Sequence, residues 1–226
     1  MTGWTAIIPV KPWALVKLRL GVSNDRRVEL ARAFSLDVLD CVVSTPEVGQ
    51  VIVVTTEPEL QARAQASGAV ILNDRPLLSS DPLNDAIRLG RSWALIHAPA
   101  EPIVVIPGDL PSLTPGALSA ALEAMSGCET AFIADGEGSG TTLLSAATPR
   151  FLSPLYGAES GRRHFESGCH PIAGVDPRVR RDVDTVFDFS CARELGIGEE
   201  TGRAARLTSG SSIANGKGTE VIPRAM

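Results

Sequence analysis

Asp109 closes an apolar run at residues 101–113 (EPIVVIPGDLPSL), where β-branched residues give way to Pro107-Gly108 and one carboxylate is left before a Leu-Pro turn. Such a run reads as a strand buried on both faces, stopped where Pro and Gly interrupt the hydrogen-bond ladder. Asp109 then stands at the carboxyl end of a central parallel strand, the edge where open α/β sheets bind ligands. A second acidic segment, Arg181-Asp182-Val183-Asp184-Thr185, precedes a late helix, and the period of two in extended backbone sets Asp182 and Asp184 on one face. Two or three carboxylates without clustered His or Cys favour a hard, oxygen-seeking ion, magnesium before zinc. The plainer alternatives are a turn-forming Asp109 and a helix N-cap at Asp182 or Asp184.

Three cations, Lys11, Lys17 and Arg19, follow the first apolar run and could neutralise a triphosphate, Arg19 with a planar fork and the lysines as compact charges. A solvated basic loop is the bland counterpart. Neither GxxxxGK[ST] nor GxGxxG follows that first strand, so the grip on phosphate is neither a Walker loop nor a dinucleotide fingerprint. Residues 136–140 (GEGSG) join two strand-like runs and read as a hairpin loop, with Thr141 and Thr142 beside it as hydroxyls able to bind an anion. Asn84, early in a helix, could read a base edge or be an exposed first-turn polar residue. Residues 156–164 (YGAESGRRH) offer amides, the Ser160 hydroxyl and two guanidiniums to a small acid, or else are a helix start with Ser160 near its cap. Trp13 either stacks on a base or anchors its loop. His97, His164 and His170 lack metal-ligand spacing and read as structural or surface residues.

Alternating strand and helix signals position these residues. Residues 4–10 form a strand, and Val28, Ala31, Phe34, Val38 and Val42 recur at helical spacing. Strands follow at 50–56 and 69–72, with a short helix at 57–67 between them. Asp81-Pro82 and Thr114-Pro115 are helix starts, and the helix after residues 183–185 ends near Gly196. This order predicts one α/β domain over residues 1–199, a mainly parallel sheet covered by helices. Residues 200–226 turn to Gly, Ser, Thr and Arg with little apolar periodicity and read as a flexible tail.

The 226 residues are 44% hydrophobic and 21% charged, an ordinary globular balance. A net charge of −5 gives no electrostatic footprint for nucleic acid. No apolar run approaches the ~20 residues that span a bilayer. Four scattered cysteines with no CxxC pair, and no secretory leader, point to a soluble protein of the reducing cytoplasm.

Taken in order, IPVK with KLRL, the LND helix start, PGDLPSL, GSGTTLL, YGAES with RRH, and DVDT resemble the guanylyltransferases of deazaflavin cofactor (coenzyme F420) biosynthesis, over about residues 5–196. These enzymes act on phosphoenolpyruvate or 2-phospho-L-lactate. The resemblance implies a nucleotidyltransferase (nucleotide-diphospho-sugar transferase-like) fold, GTP and magnesium, and a product joining GMP to a three-carbon acid through a diphosphate. It places the acid on Thr142, Gly157 and Ser160 and the metal on Asp109 with Asp184 or Asp182; by their own chemistry Lys11, Lys17 and Asn84 are assigned to the nucleotide, with Lys17, Arg19 and Asp109 as the catalytic set. Where the family commonly carries a Gly-Pro-Gly-Ser-like loop, this chain has Gly157-Ala158-Glu159-Ser160, which sets a carboxylate near the acid. The bacterial look of the chain favours phosphoenolpyruvate over phospholactate. Other readings are a sugar or cytidylyl nucleotidyltransferase or glycosyltransferase of the same fold, and a non-catalytic nucleotide-binding regulator.

Overall fold

Strands with no polar face can be buried only if helices cover both sides of their sheet. The computed structural model describes residues 3–16, 18–74 and 80–210, with side chains of the last helix as far as Arg206. Its strands are β1 (Trp4–Pro9), β2 (Val48–Val54), β3 (Val70–Leu72), β4 (Ile103–Val105), β5 (Thr130–Ala134), β6 (Thr141–Ala146) and β7 (His170–Pro171). The helices are α1 (Asn24–Val43), α2 (Pro58–Ala66), α3 (Pro82–His97), α4 (Pro115–Met125), α5 (Ser160–Glu166), α6 (Val186–Leu195) and α7 (Glu199–Gly210). The strands form one sheet in the order β3-β2-β1-β4-β6-β5-β7.

Alternation along each strand divides the core. Ala6, Ile8, Val53 and Val104 point into one apolar cluster with Phe34, Leu39 and Leu118, whereas Ile7, Ile52, Ile103 and Val105 point into the other with Ile87 and Ala94. Burial on both faces is the reason these strands read as continuous apolar runs.

The sheet is mainly parallel, as expected, and is mixed through one strand, β6. β1, β2, β3 and β4 pair in parallel, and β6 runs antiparallel to both β4 and β5. β5 and β6 are the hairpin read from the Gly-rich loop between them. β4 is therefore the last parallel strand before the direction reverses, and Asp109 leaves the sheet beside that discontinuity.

The tail expected from residue 200 begins instead as α7, packed on α1. The Asp37 carboxylate accepts hydrogen bonds from Glu200 N (3.0 Å) and Thr201 N (2.8 Å), and Arg26 donates to the Ala204 carbonyl (2.8 Å). Thr201 and Ala204 are buried. Residues 211–226 lie outside the described residues.

A candidate active site at the carboxyl edge of the sheet

Backbone pairing beyond the named strands assembles the carboxylates. Val183 N donates to the Asp109 carbonyl at 3.1 Å, and Arg19 N donates to the Asp184 carbonyl at 2.7 Å. Arg19 and Thr185 form a parallel bridge. Residues 182–185 are thus laid between the loop after β1 and the end of β4. Val183 is fully buried there, so Asp182 and Asp184 face away from the core together. Thr185 is the N-cap of α6: its hydroxyl accepts from Asp188 N (3.2 Å), and the Asp188 carboxylate accepts from Thr185 N (2.9 Å). That capping box excludes Asp182 and Asp184 as the cap and leaves both for other partners.

The charges raise one another's proton affinity. Asp109 is pushed up to about 6 by burial and then by the charge of Asp184, with Lys11 opposing. Asp182 is pushed up to about 8 by burial and by the charges of Asp109, Asp135 and Asp184. Burial also raises Asp184, and Arg19 opposes it. One oxygen of Asp109, Oδ1, is enclosed and has no hydrogen-bond partner.

Among the described residues no three His, Cys, Asp or Glu side chains converge on a metal position, so Asp109, Asp182 and Asp184 are not a closed three-carboxylate cage. Magnesium is commonly held by one or two carboxylates plus substrate phosphates and water, and needs no such cage. The enclosed, unpartnered Asp109 Oδ1 and an all-oxygen donor set fit that kind of site.

Two cavities meet at these residues. One, of about 630 Å³, lies against the loop after β1 and is walled by Lys11, Trp13, Leu18 and Phe34. The other, of about 410 Å³, lies against the β5–β6 hairpin and is walled by Thr142, Tyr156, Gly157, Ser160, Arg181 and Asp182. Arg19, Leu83, Pro107, Asp109 and Asp184 line both, so they are two halves of one groove.

In the β1-loop half, Lys11 and Arg19 are exposed and form no ion pair among the described residues. Lys17 lies outside the described residues. Trp13 is an anchor: it is buried, its indole N–H donates to Ser35 Oγ (3.1 Å) and its backbone N–H to Glu57 Oε1 (2.8 Å).

In the hairpin half, Thr142, Gly157 and Ser160, which the resemblance groups together, line one cavity. Thr142 and Ser160 are buried, and the Thr142 hydroxyl donates to the Ile133 carbonyl (3.3 Å). His164 is fully buried, accepts from Leu155 N at Nε2 (3.0 Å) and meets Thr141 Oγ1 at Nδ1 (2.9 Å). Nε2 must therefore be unprotonated, and burial, with the charge of Arg163, lowers this imidazole to about 4.

Asn84 does not serve as a base reader. Its Oδ1 accepts from Tyr156 N (2.9 Å), and its Nδ2 donates to the Tyr156 carbonyl (3.0 Å) and to the Asp81 carboxylate (2.9 and 3.1 Å). Both amide hydrogens and the amide oxygen are thus engaged by the protein, and Asn84 clasps the segment that leads into Gly157.

Sequence reasoning passed over Asp135 and Arg181. Asp135 opens the Gly-rich stretch, and an Asp ahead of a glycine run is itself a signal for a side chain that accepts from the following amides. Arg181 packs beneath Gly136 and pairs with Asp188 at 3.4 Å.

Residues 4–170 match the family model described as "Guanylyl transferase CofC like". A phosphoenolpyruvate guanylyltransferase of Streptomyces scabiei is 39% identical over 207 residues, covering 89% of this chain and 95% of its own. Another, of Salinispora arenicola, is 37% identical, covering 93% of this chain and 98% of its own. Among solved structures, 4-diphosphocytidyl-2C-methyl-D-erythritol synthase aligns with a TM-score of 0.56 at 17% identity, covering 86% of this chain and 99% of its own. A cytidylyltransferase from Leptospira borgpetersenii aligns with a TM-score of 0.52 at 16% identity, covering 97% of this chain and 100% of its own. These structural likenesses establish the nucleotidyltransferase fold.

Proposed function

The chain belongs to the CofC-like guanylyl transferase family, and from that premise we propose that it transfers GMP from GTP to phosphoenolpyruvate, releasing pyrophosphate, in deazaflavin cofactor biosynthesis. The observation that carries this reading is one groove in two halves that meet at an enclosed, unpartnered carboxylate oxygen, Asp109 Oδ1. A reaction between two phosphorylated molecules needs that arrangement.

A phosphate oxygen of the acid attacks the α-phosphorus of GTP; a P–O bond forms there, and the bond to the β-phosphate oxygen breaks as pyrophosphate departs with its electron pair. The attacking oxygen is already ionised at neutral pH, so no general base is required. This accounts for a groove without an exposed histidine pair. What the chain must supply is alignment and charge neutralisation. Arg19, at the junction, and Lys11, beside it, face the triphosphate, and Lys17 belongs to the same basic loop. Thr142, Gly157 and Ser160 orient the acid. Asp109 and Asp184, which line both halves, would hold the magnesium ion, with Asp182 on the acid side. When bound, magnesium offsets phosphate charge and polarises the reacting phosphoryl group. The four unpaired cysteines support a cytoplasmic home.

The test is pyrophosphate release with each of the four nucleoside triphosphates against phosphoenolpyruvate, 2-phospho-L-lactate and a hexose 1-phosphate. Turnover with GTP and phosphoenolpyruvate above every other pair is expected. Preference for a sugar phosphate, or for another nucleotide, overturns the reading.

A further inference from the structure

We propose that Asp135 is the positioning residue of the hairpin half, holding the loop at residues 135–140 in the one shape that sets Ser160 and Thr142 for the acid. This rests on the functional reading above. Asp135 Oδ1 accepts from Gly138 N (2.6 Å) and Ser139 N (3.0 Å), and Oδ2 accepts from Gly140 N (2.7 Å). Three amides on one carboxylate are charge-assisted bonds, stronger than neutral ones. They turn the loop's N–H groups inward, so the Gly-rich backbone grips its own aspartate.

The loop's outer face is thereby fixed against the neighbouring element. The Ser139 carbonyl accepts from Gly161 N at 3.0 Å, one residue beyond Ser160. A Cβ on Gly161 would lie 2.9 Å from the Gly140 carbonyl oxygen and 3.2 Å from that of Ser139, so the two loops touch backbone to backbone. From the other side, Arg180 Nη2 and Nε donate to the Asp135 carbonyl (2.6 and 3.2 Å), tying the loop to the segment that carries Asp182 and Asp184. Asp135 is thus the hub through which the acid-binding loop and the carboxylate segment share one geometry.

Two substitutions perturb this clasp from opposite sides. Asp135→Asn keeps the shape of the side chain but presents N–H to N–H at one oxygen. Gly161→Ala forces the loops apart by its methyl group. Each is expected to raise KM for phosphoenolpyruvate about tenfold, ~1.4 kcal/mol, with KM for GTP changed less than twofold. The double variant should cost less than the product of the two, because both act on one contact. Equal shifts in both KM values, or a lower melting temperature with both KM values unchanged, overturn the proposal and leave Asp135 a merely structural residue. A wild-type enzyme inert with GTP and phosphoenolpyruvate overturns the functional reading and this inference together, whereas an active wild type with acid KM unmoved in both variants overturns the inference alone.

Discussion

In the β1-loop half of the groove, the charged groups, Lys11 and Arg19, end in solvent, and the loop is anchored from behind by buried Trp13. In the hairpin half, polar groups are tied to one another: Asn84 to Tyr156, His164 to Thr141 and Leu155, Asp135 to three amides. A flexible polyphosphate of high charge can be held by unpaired cations that adjust to it. A three-carbon acid offers few atoms, and must be held by fixed geometry. The two halves therefore answer to different perturbations, and the carboxylates at their junction answer to both.

The largest effect is expected at that junction. Asp109→Asn keeps the side-chain volume but removes the charge, and should lower turnover by about 10³-fold, the scale of a lost electrostatic stabiliser. Because it also removes a buried charge, its melting temperature at pH 8 should equal or exceed that of the wild type. Near-normal pyrophosphate release by this variant would make the junction a mere contact between two independent cavities.

Asn84→Ala tests the wiring of the hairpin half. It leaves Tyr156 N without a partner in a buried setting, whereas the Tyr156 carbonyl keeps its bond from Arg163 Nη2 (2.9 Å), so unfolding free energy should fall by about 1–3 kcal/mol. Acid KM should rise while the ranking of nucleotides stays fixed, as steady-state kinetics with all four would reveal. A changed nucleotide ranking would return Asn84 to the base and erase the contrast between the halves.

That outcome bears on what the sequence could disclose. Periodicity located β1 to β6 and α1, though not the two-residue β7, and Pro107-Gly108 placed Asp109 at a strand end, because these signals are local. Asn84 was misread because its partner, Tyr156, lies 72 positions away. α7 was missed for the same reason: its cap comes from Asp37, 163 positions before Glu200, and its inner face buries only small residues such as Thr201 and Ala204. The Gly-rich loop disclosed that β5 and β6 run antiparallel, but the insertion of β6 beside β4 left no trace, since a strand buried on both faces reads alike whichever neighbour it takes. Thr142, Gly157 and Ser160 were found together through a family resemblance, while Asp135, which organises the loop beside them, bears no ligand and carries only a turn signal.

Arg19→Ala should act on the β1-loop half through charge. We expect kcat/KM for GTP to drop about tenfold, comparable to the loss of one hydrogen bond to a charged group. Raising ionic strength should weaken GTP more than the acid, because exposed cations are screened and buried hydrogen bonds are not. Equal salt sensitivity for both substrates would break the comparison.

A pH series on metal-free protein separates two buried groups of the hairpin half, the Asp182 carboxylate beside the junction and the His164 imidazole. Asp182 has its folded-state value raised to about 8 from 3.8, so it binds a proton more readily folded than unfolded. Stability is then fully present below the unfolded value and is lost as pH rises through 8. His164, lowered to about 4 from 6.5, acts in the opposite sense and only at acid pH, stability being lost as pH falls from 6.5 toward 4. Between pH 6.5 and 8, thermal melts should show a decline of a few degrees that Asp182→Asn flattens and magnesium reverses. A decline that survives the substitution would assign it elsewhere.

The smallest effect is expected at Glu159, where the hairpin half departs from its own rule. Its backbone is left-handed (φ 55°, ψ 32°), the one such non-glycine residue among those described, and its exposed carboxylate lines the acid side of the groove. A left-handed conformation costs a residue with a Cβ ~1–2 kcal/mol, while glycine loses ~0.5–1 kcal/mol more backbone entropy on folding. Glu159→Gly should therefore change stability by under about 1 kcal/mol, in the stabilising direction. The same change withdraws a negative charge from an anion site and restores the glycine common in the family loop, so acid KM should fall a few-fold with GTP KM unmoved. Glu159→Gln separates the two causes, since it removes the charge and keeps the strained backbone. A Gln variant matching Gly in KM but not in melting temperature would assign affinity to charge and stability to backbone. A Gln variant with wild-type KM would mean that even in this half, where geometry rules, the charge at Glu159 is screened from the acid.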